Sequence, residues 1–403
     1  MGAKAAGQLP KRHCMVVHAY YPVGETRVQR EALALLEAGY EVDVLCLRDG
    51  GERVVDAEEG INIYRLPIKR YKGYGLLVQL LEYLAFFMLA FFKLLSLYPK
   101  RRYGTIQVHN LPDFLIFCAI YPKLRGAKVI LDLHDLMPEF FAAKSESDMN
   151  SLPVRVVTWQ ERLSCRFADH VITVTDVWQE TLIQRGVPAH KVSVVMNVAD
   201  GRIFHRLSET SLASANGEYF NLIYHGTFTH RYGVDLIVRA VDKVRRELPN
   251  IQAILVGDGE YREDLLQLTS ELGLEEYVDL SRQIIPAMEL PPIIRHAHVG
   301  IVPNRSNIFT DGLLPTKLME YVAVGTPVIA AQTPTINAYF DETMVQFFKP
   351  GDVDDLAKCI IALSQDRQSL SQFAHNADRF NEKYSWDRVA AEYVATVDGL
   401  NGR

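Results

Sequence analysis

Cysteine is scarce and scattered: Cys14, Cys46, Cys118, Cys165 and Cys359 are the five in 403 residues, with no Cys-x-x-Cys spacing. That pattern excludes a disulfide framework and a cysteine zinc site, and it predicts reduced thiols in a cytosolic protein. A large excess of one charge is also lacking. The net charge of −6 argues against a general nucleic-acid binder, although basic clusters remain locally. The opening residues MGAKAAGQLPKRHC contain no apolar signal-peptide core, so export is not expected. There is no internal repeat or low-complexity tract. No Asp-x-Asp stands at a strand end to hold a divalent metal, since DVDD at 352–355 falls in a predicted turn or helix start.

Nearly half of the residues are apolar, 48%, so the chain can bury a core, and its length suits two domains. Short β-rich runs alternate with helical stretches throughout, the pattern of a parallel sheet wrapped by helices. CMVVHAY, EVDVLCL, TIQVHN, KVILDLHD, HVITVT and KVSVVMN make a first series to about residue 205, with REALALLEAG as a helix ending at Gly39. LSETSLASANGEYF is polar and rich in small residues, as a linker would be. NLIYHGTF, IQAILVGDG, YVDLSR, HVGIVPN and TPVIAA then make a second series to about residue 380. The expected fold is α/β, with two Rossmann-like domains facing each other across a cleft.

The longest apolar stretch is 76–98, LLVQLLEYLAFFMLAFFKLLSLY, close to the roughly 20 residues of a bilayer span. Gln79, Glu82, Lys93 and Ser96 interrupt it and fall in one narrow helical stripe, leaving a wide apolar face. Lys69, Arg70 and Lys72 precede it, and Lys100, Arg101 and Arg102 follow. Three readings stay open: a helix docked on an anionic membrane surface, a buried core helix, or a true span.

DGLLPTKLMEYVAVGTPVIA, at 311–330, places Lys317 and Glu320 three residues apart at the start of a helix, with Pro315 near its entrance and Gly325 at its end. A helix entrance with a lysine suits an anion, and an acid beside it suits sugar hydroxyls rather than phosphate. A capped surface helix with an internal Lys–Glu pair would look the same from sequence alone. Polar residues follow several other strands: His18, Gly24 and Arg27; His109 and Asn110; His134, Asp135 and Glu139; His225, Gly226, Thr227 and Arg231; Gly257, Asp258 and Gly259; Asn304. The carboxyl ends of strands are where open α/β sheets bind ligands.

The block PTKLMEYVAVGTPVI, with YHGTFTHRYG upstream, resembles the GT-B glycosyltransferases, and among them the retaining glycosyltransferase family 4. The resemblance runs from YYPVGETRVQREALALLEAGYEVDVL through VITVTDVWQETLIQRGVPAHKVSVVMNVADGRIF and AILVGDGEYREDLL to YSWDRVAAEY. It implies an N-terminal acceptor domain (1–205), a C-terminal nucleotide-sugar donor domain (206–380) and a final helix (381–403) crossing back to the first domain. It implies that Glu320 grips the donor ribose and that Lys317 and Arg231 neutralise the diphosphate, with Thr227 beside Gly226 adding a hydrogen bond. Gly257 and Arg282 to Ile284 would hold the base. Asp311, with Gly312 and Leu313, would stand for the first acid of the family's paired-acid motif, although it lies one residue further back and is one carbon shorter. Tyr232 replaces a usual lysine, and its neighbour Arg231 would substitute. In the first domain His134 would face the sugar and Gly24 the phosphates.

The resemblance therefore implies a metal-independent hexosyltransferase with no required cofactor, taking a nucleotide-sugar, UDP-sugar by family frequency. The acceptor expected is a lipid-linked glycan of polysaccharide or cell-envelope assembly, reached from the cytoplasm at the inner face of the plasma membrane. Alternatives are a soluble acceptor on the same fold, or a nucleotide-sugar epimerase or non-catalytic binder.

Overall fold

The computed structural model describes residues 11–22, 25–71, 75–206, 219–280 and 285–402. The chain divides into two compact units, Met1–Asn197 with Asp387–Arg403, and Val198–Trp386. Gly24, Lys72, Arg282, Ile284 and most of the expected linker lie outside the described residues.

In the first unit β1 (Arg12–Tyr20), β2 (Glu41–Leu47), β3 (Val55–Glu58), β4 (Ile61–Leu66), β5 (Thr105–His109), β6 (Lys128–Leu133), β7 (His170–Thr173) and β8 (Val192–Val194) form one sheet ordered β3-β4-β2-β1-β5-β6-β7-β8. In the second, β9 (Phe220–His225), β10 (Ile251–Val256), β11 (Val278–Asp279), β12 (Val299–Val302), β13 (Val328–Ala331) and β14 (Gln346–Phe348) are ordered β11-β10-β9-β12-β13-β14. The pairings are parallel except that of β3 with β4. Parallel strands are covered on both faces, which is why runs such as KVILDL and IQAILV are almost wholly apolar. Strand order reverses between β1 and β5 in one sheet and between β9 and β12 in the other. Those switch points open the crevices where such sheets take ligands.

The β3–β4 hairpin and β14 are absent from the sequence reading. β3, VDAE, is largely exposed and acidic, so it carries no buried alternation. Its turn is made by Glu59 and Gly60, both at positive φ (51° and 87°).

The long apolar segment is one helix, Leu76–Arg101. Phe86, Ala90, Leu94 and Tyr98 are buried beneath it, whereas Leu77, Leu81, Leu84, Met88, Phe92 and Leu95 are exposed. The reading as a buried core helix is thereby corrected: one narrow face is buried and the wide apolar face looks outward. Part of the polar stripe turns toward the protein. Glu82 pairs with His18 of β1 at 2.9 Å, and Lys93 lies 4.6 Å from the Tyr64 ring centre. His18, read as a ligand candidate, serves here to hold this helix, with its ring edge-on to Tyr83 and Phe86.

The last helix, Trp386–Asn401, returns to the first unit. Tyr393 is buried in it and donates to Gln107 Oε1 at 2.6 Å, while Tyr40 donates to Asp398 at 2.6 Å. Tyr393→Phe would leave the Gln107 oxygen without its donor in a dry site and should lower unfolding free energy by about 1–3 kcal/mol. Urea denaturation checks this; an unchanged midpoint would mean the helix is held by its apolar contacts alone.

Candidate functional site

In the second unit the loops after β9 and β12 flank the switch point. Gly226 follows β9 with φ of +123°, and a Cβ there would lie 3.3 Å from Lys317 Cε, so glycine suits both the backbone and the space. At Gly257 a Cβ would come within 1.9 Å of the Gly226 carbonyl oxygen. The loops after β9 and β10 thus touch backbone to backbone. His225, Gly226, Thr227, Gly257 and Asp258 line a cleft of about 200 Å³ with Ile285 and Leu290.

The helix Thr316–Val324 enters beside this cleft. Pro315 is its N-cap, no side chain caps its first turn, and Gly325 ends it at φ +83°. Its free backbone N–H groups and dipole make an anion site. Lys317 is buried, donates from Nζ to Tyr224 Oη at 3.0 Å, and faces the rings of Tyr224 and Tyr232 at 4.1 and 5.1 Å. Burial pushes its ammonium down to about 7, against the pull of Glu320. Glu320 itself lies 3.1 Å from His225 Nε2. The surface-helix reading therefore fails: the lysine is inside, and neither residue forms an ion pair with the other.

Arg231 lies near the Tyr232 and Phe309 rings, at 5.3 and 5.9 Å, so Tyr232 is close to both cations. The segment after β12 is tied to this region by Arg305, which pairs with Asp235 at 2.7 Å and donates to the His230 carbonyl at 2.8 Å. Asp311 sits in a short turn, Thr310–Gly312, followed by Leu313, and accepts from Ser306 at 2.9 Å. Burial raises its carboxyl above the usual range, against the hydrogen bond from Ser306. Among the described residues no contact joins Asp311 to Lys317.

In the first unit His134 follows β6. Its Nε2 lies 3.0 Å from His109 Nδ1 and 3.5 Å from Asp132, and its Nδ1 lies 4.0 Å from Glu25. Burial alone would lower its basicity, but the charge and hydrogen bond of Asp132 outweigh it and the net direction is up. Asp132 is fully buried and bonded by Arg27 at 3.0 and 3.2 Å and by Gln107 at 3.0 Å. Burial opposes its ionisation, yet Arg27 and His134 hold it well below the carboxylate range. His109, Asp132 and His134 offer donor atoms within 4.8 Å of one another, spacing open to a divalent ion. Arg27 already covers both Asp132 oxygens, and hydrogen bonds account for the convergence.

Asp132, Tyr224 and Gln107 were missed as site residues by sequence reasoning. A signal existed for two of them: a polar side chain inside an apolar parallel strand, KVILDL or TIQVH, must find a buried partner.

A family model described as a glycosyl transferase 4-like domain matches residues 24–197, and one described as glycosyl transferases group 1 matches 219–366. The chain belongs to the retaining GT-B glycosyltransferases of family 4. It is 26% identical over 306 residues to the chitobiosyldiphosphodolichol beta-mannosyltransferase of Debaryomyces hansenii, covering 70% of this chain and 64% of that one. The chain thus spans just under two thirds of that relative's length. It is 25% identical to WcaI of Escherichia coli, named for colanic acid biosynthesis, over 85% of this chain and 83% of that one. The structure of Anabaena HepE in complex with UDP-glucose matches with a TM-score of 0.72 at 18% identity, covering 96% of this chain and 99% of that one, which shows the fold.

Lys317 in this family 4 glycosyltransferase carries a pH signature. An unfolded lysine titrates near about 10.4, so between about pH 7 and that value the unfolded chain binds the extra proton and stability rises with pH. Lys317→Met should flatten that rise relative to wild type; equal slopes in denaturation series would show that the ammonium is not desolvated.

Proposed function

We propose that this chain moves a sugar, with retention, from a UDP-sugar to a lipid-linked glycan acceptor during polysaccharide or cell-envelope assembly. The observation that carries the reading is the buried Lys317 at an uncapped helix entrance, with Arg231 and Lys317 both close to the Tyr232 ring. As the bond from the anomeric carbon to the diphosphate breaks, the departing oxygens gain charge. The helix N–H groups, Lys317 and Arg231 compensate that charge electrostatically in a dry setting. An arriving diphosphate also restores the proton that burial draws from Lys317. The acceptor hydroxyl attacks on the face the diphosphate leaves, and a diphosphate oxygen takes its proton.

Glu320 holds the ribose hydroxyls, Gly226 and Thr227 approach the diphosphate, and Gly257 lines the base side of the cleft. His134, oriented by Asp132, contacts the transferred sugar. UDP as donor is supported by HepE, whose structure holds UDP-glucose. The lipid-linked acceptor is supported by the dolichol-named relative and by the exposed apolar face of the Leu76–Arg101 helix. Lys69, Arg70 and Lys100, all exposed beside the helix ends, suit anionic headgroups at the inner face of the plasma membrane.

Acceptor-dependent release of UDP from labelled UDP-sugars tests the activity. Lys317→Ala should lower kcat by roughly 10²–10³-fold, and Glu320→Gln should act mainly on KM. Epimerised sugar without any acceptor, or Lys317→Ala at full rate, would sink the reading. For the membrane, Leu84, Met88 and Phe92 changed together to Ser should abolish sedimentation with anionic vesicles and spare UDP binding. Retained sedimentation would remove this helix from the contact.

A further inference from the structure

A second helix of the first unit carries an outward apolar stripe. In Leu152–Phe167 the exposed apolar residues Leu152, Val156, Trp159 and Leu163 follow at spacings of four, three and four, one face of a helix. Leu152 and Trp159 are 73% and 62% exposed, well beyond a surface residue seated against its own fold. The opposite face is committed inward: Glu161, the only acid in the helix, is buried and paired with Arg185 at 2.9 Å. The charges left in the open on this helix are Arg155, Arg162 and Arg166, on one flank of the stripe. The exposed acids nearest in the chain, Glu146 and Asp148, precede the helix.

The topology sets this stripe beside that of Leu76–Arg101. The connections β4 to β5, β5 to β6 and β6 to β7 all advance in one direction across the sheet, and right-handed crossovers put their helices on one face. The β1 to β2 connection runs the other way. Ring contacts close the layer: Phe87 with Phe114 at 6.2 Å links the long helix to the segment after β5, and Phe117 with Phe167 at 5.0 Å links that segment to the second helix. Exposed Ile120 and Leu124 lie on that same linking segment.

We propose that Leu152–Phe167 is a second contact with an anionic phospholipid bilayer, lying in the headgroup region in the same layer as Leu76–Arg101. Trp159 seats at the interface, and Arg155, Arg162 and Arg166 engage lipid phosphates. Charge complementarity selects this occupant: a planar polyanion matches three arginines that no exposed acid on the helix offsets, and guanidinium grips phosphate through paired N–H groups. Tryptophan favours a boundary that is apolar on one side and wet on the other. The proposal rests on the membrane reading above, and it adds a second point of attachment that fixes the orientation of the first unit on the bilayer.

The test uses the full chain with vesicles of phosphatidylcholine, with and without phosphatidylglycerol. Neutralising Arg155, Arg162 and Arg166 to Gln should weaken binding to the anionic vesicles by about fivefold per arginine, about a hundredfold together, with unchanged UDP affinity as the folding control. Brominated lipids should quench wild-type fluorescence, and Trp159→Phe should remove that quenching. Binding unaffected by the triple substitution, with no quenching from Trp159, overturns the second contact while leaving the long helix in place. Wild-type protein that binds no vesicle sinks the membrane reading as a whole. Self-association in vesicle-free solution that Trp159→Ser abolishes would give the stripe to a second copy of this chain and overturn the proposal.

Discussion

The first unit is organised around one buried ion pair. Arg27 on the helix after β1 spans both oxygens of Asp132 in β6, donates to the Val195 carbonyl and pairs with Glu31 one turn along its own helix. A guanidinium and two carboxylates cannot be placed in a dry interior unless almost every polar atom is met. Gln107 meets several at once, donating to Glu31 at 2.7 Å and to Asp132 at 3.0 Å while accepting from Tyr393 of the last helix. The excess acid is handled by protonation: burial pushes Glu31 up to about 8, against the Arg27 charge. His134 stands at the open end of this network, and its charge follows from Asp132 beneath it.

The second unit solves the opposite problem. Its buried cation, Lys317, has a tyrosine hydroxyl and two ring faces around it, and its nearest acid, Glu320, is engaged with His225. A cation held this way is under-compensated by its own surroundings. Glycine at 226 and 257 keeps side chains out of the space beside Lys317 and between the two loops. The loop after β9 lies at the switch point of its sheet, whereas His134 follows β6, one strand beyond the switch point between β1 and β5.

The outward helices of the first unit carry the remaining peculiarity. In a helix packed on a sheet, the apolar face is expected inside and the polar face outside. Leu76–Arg101 reverses this for Glu82, which serves His18, and leaves a wide apolar face in the open. An exposed apolar face of this width, with basic residues at both ends of the helix, is unusual for a helix packed on a sheet.

Much of this was legible in the chain itself. Alternating apolar runs and helical stretches gave the two parallel sheets, because a doubly covered strand must be apolar throughout. The glycines after β9 and β10 could be picked out from the chain, because only glycine allows the close backbone approach found there. What the sequence could not supply was partnership. That Lys317 turns inward to Tyr224, that Glu320 joins His225, that Asp132 governs His134, and that Glu82 faces the protein are decided by residues far apart in the chain. Periodicity assigns a side chain to a face of its own element. Only the packing of elements decides what that face meets, since desolvation and pairing are set by distances between segments and not by spacing along one.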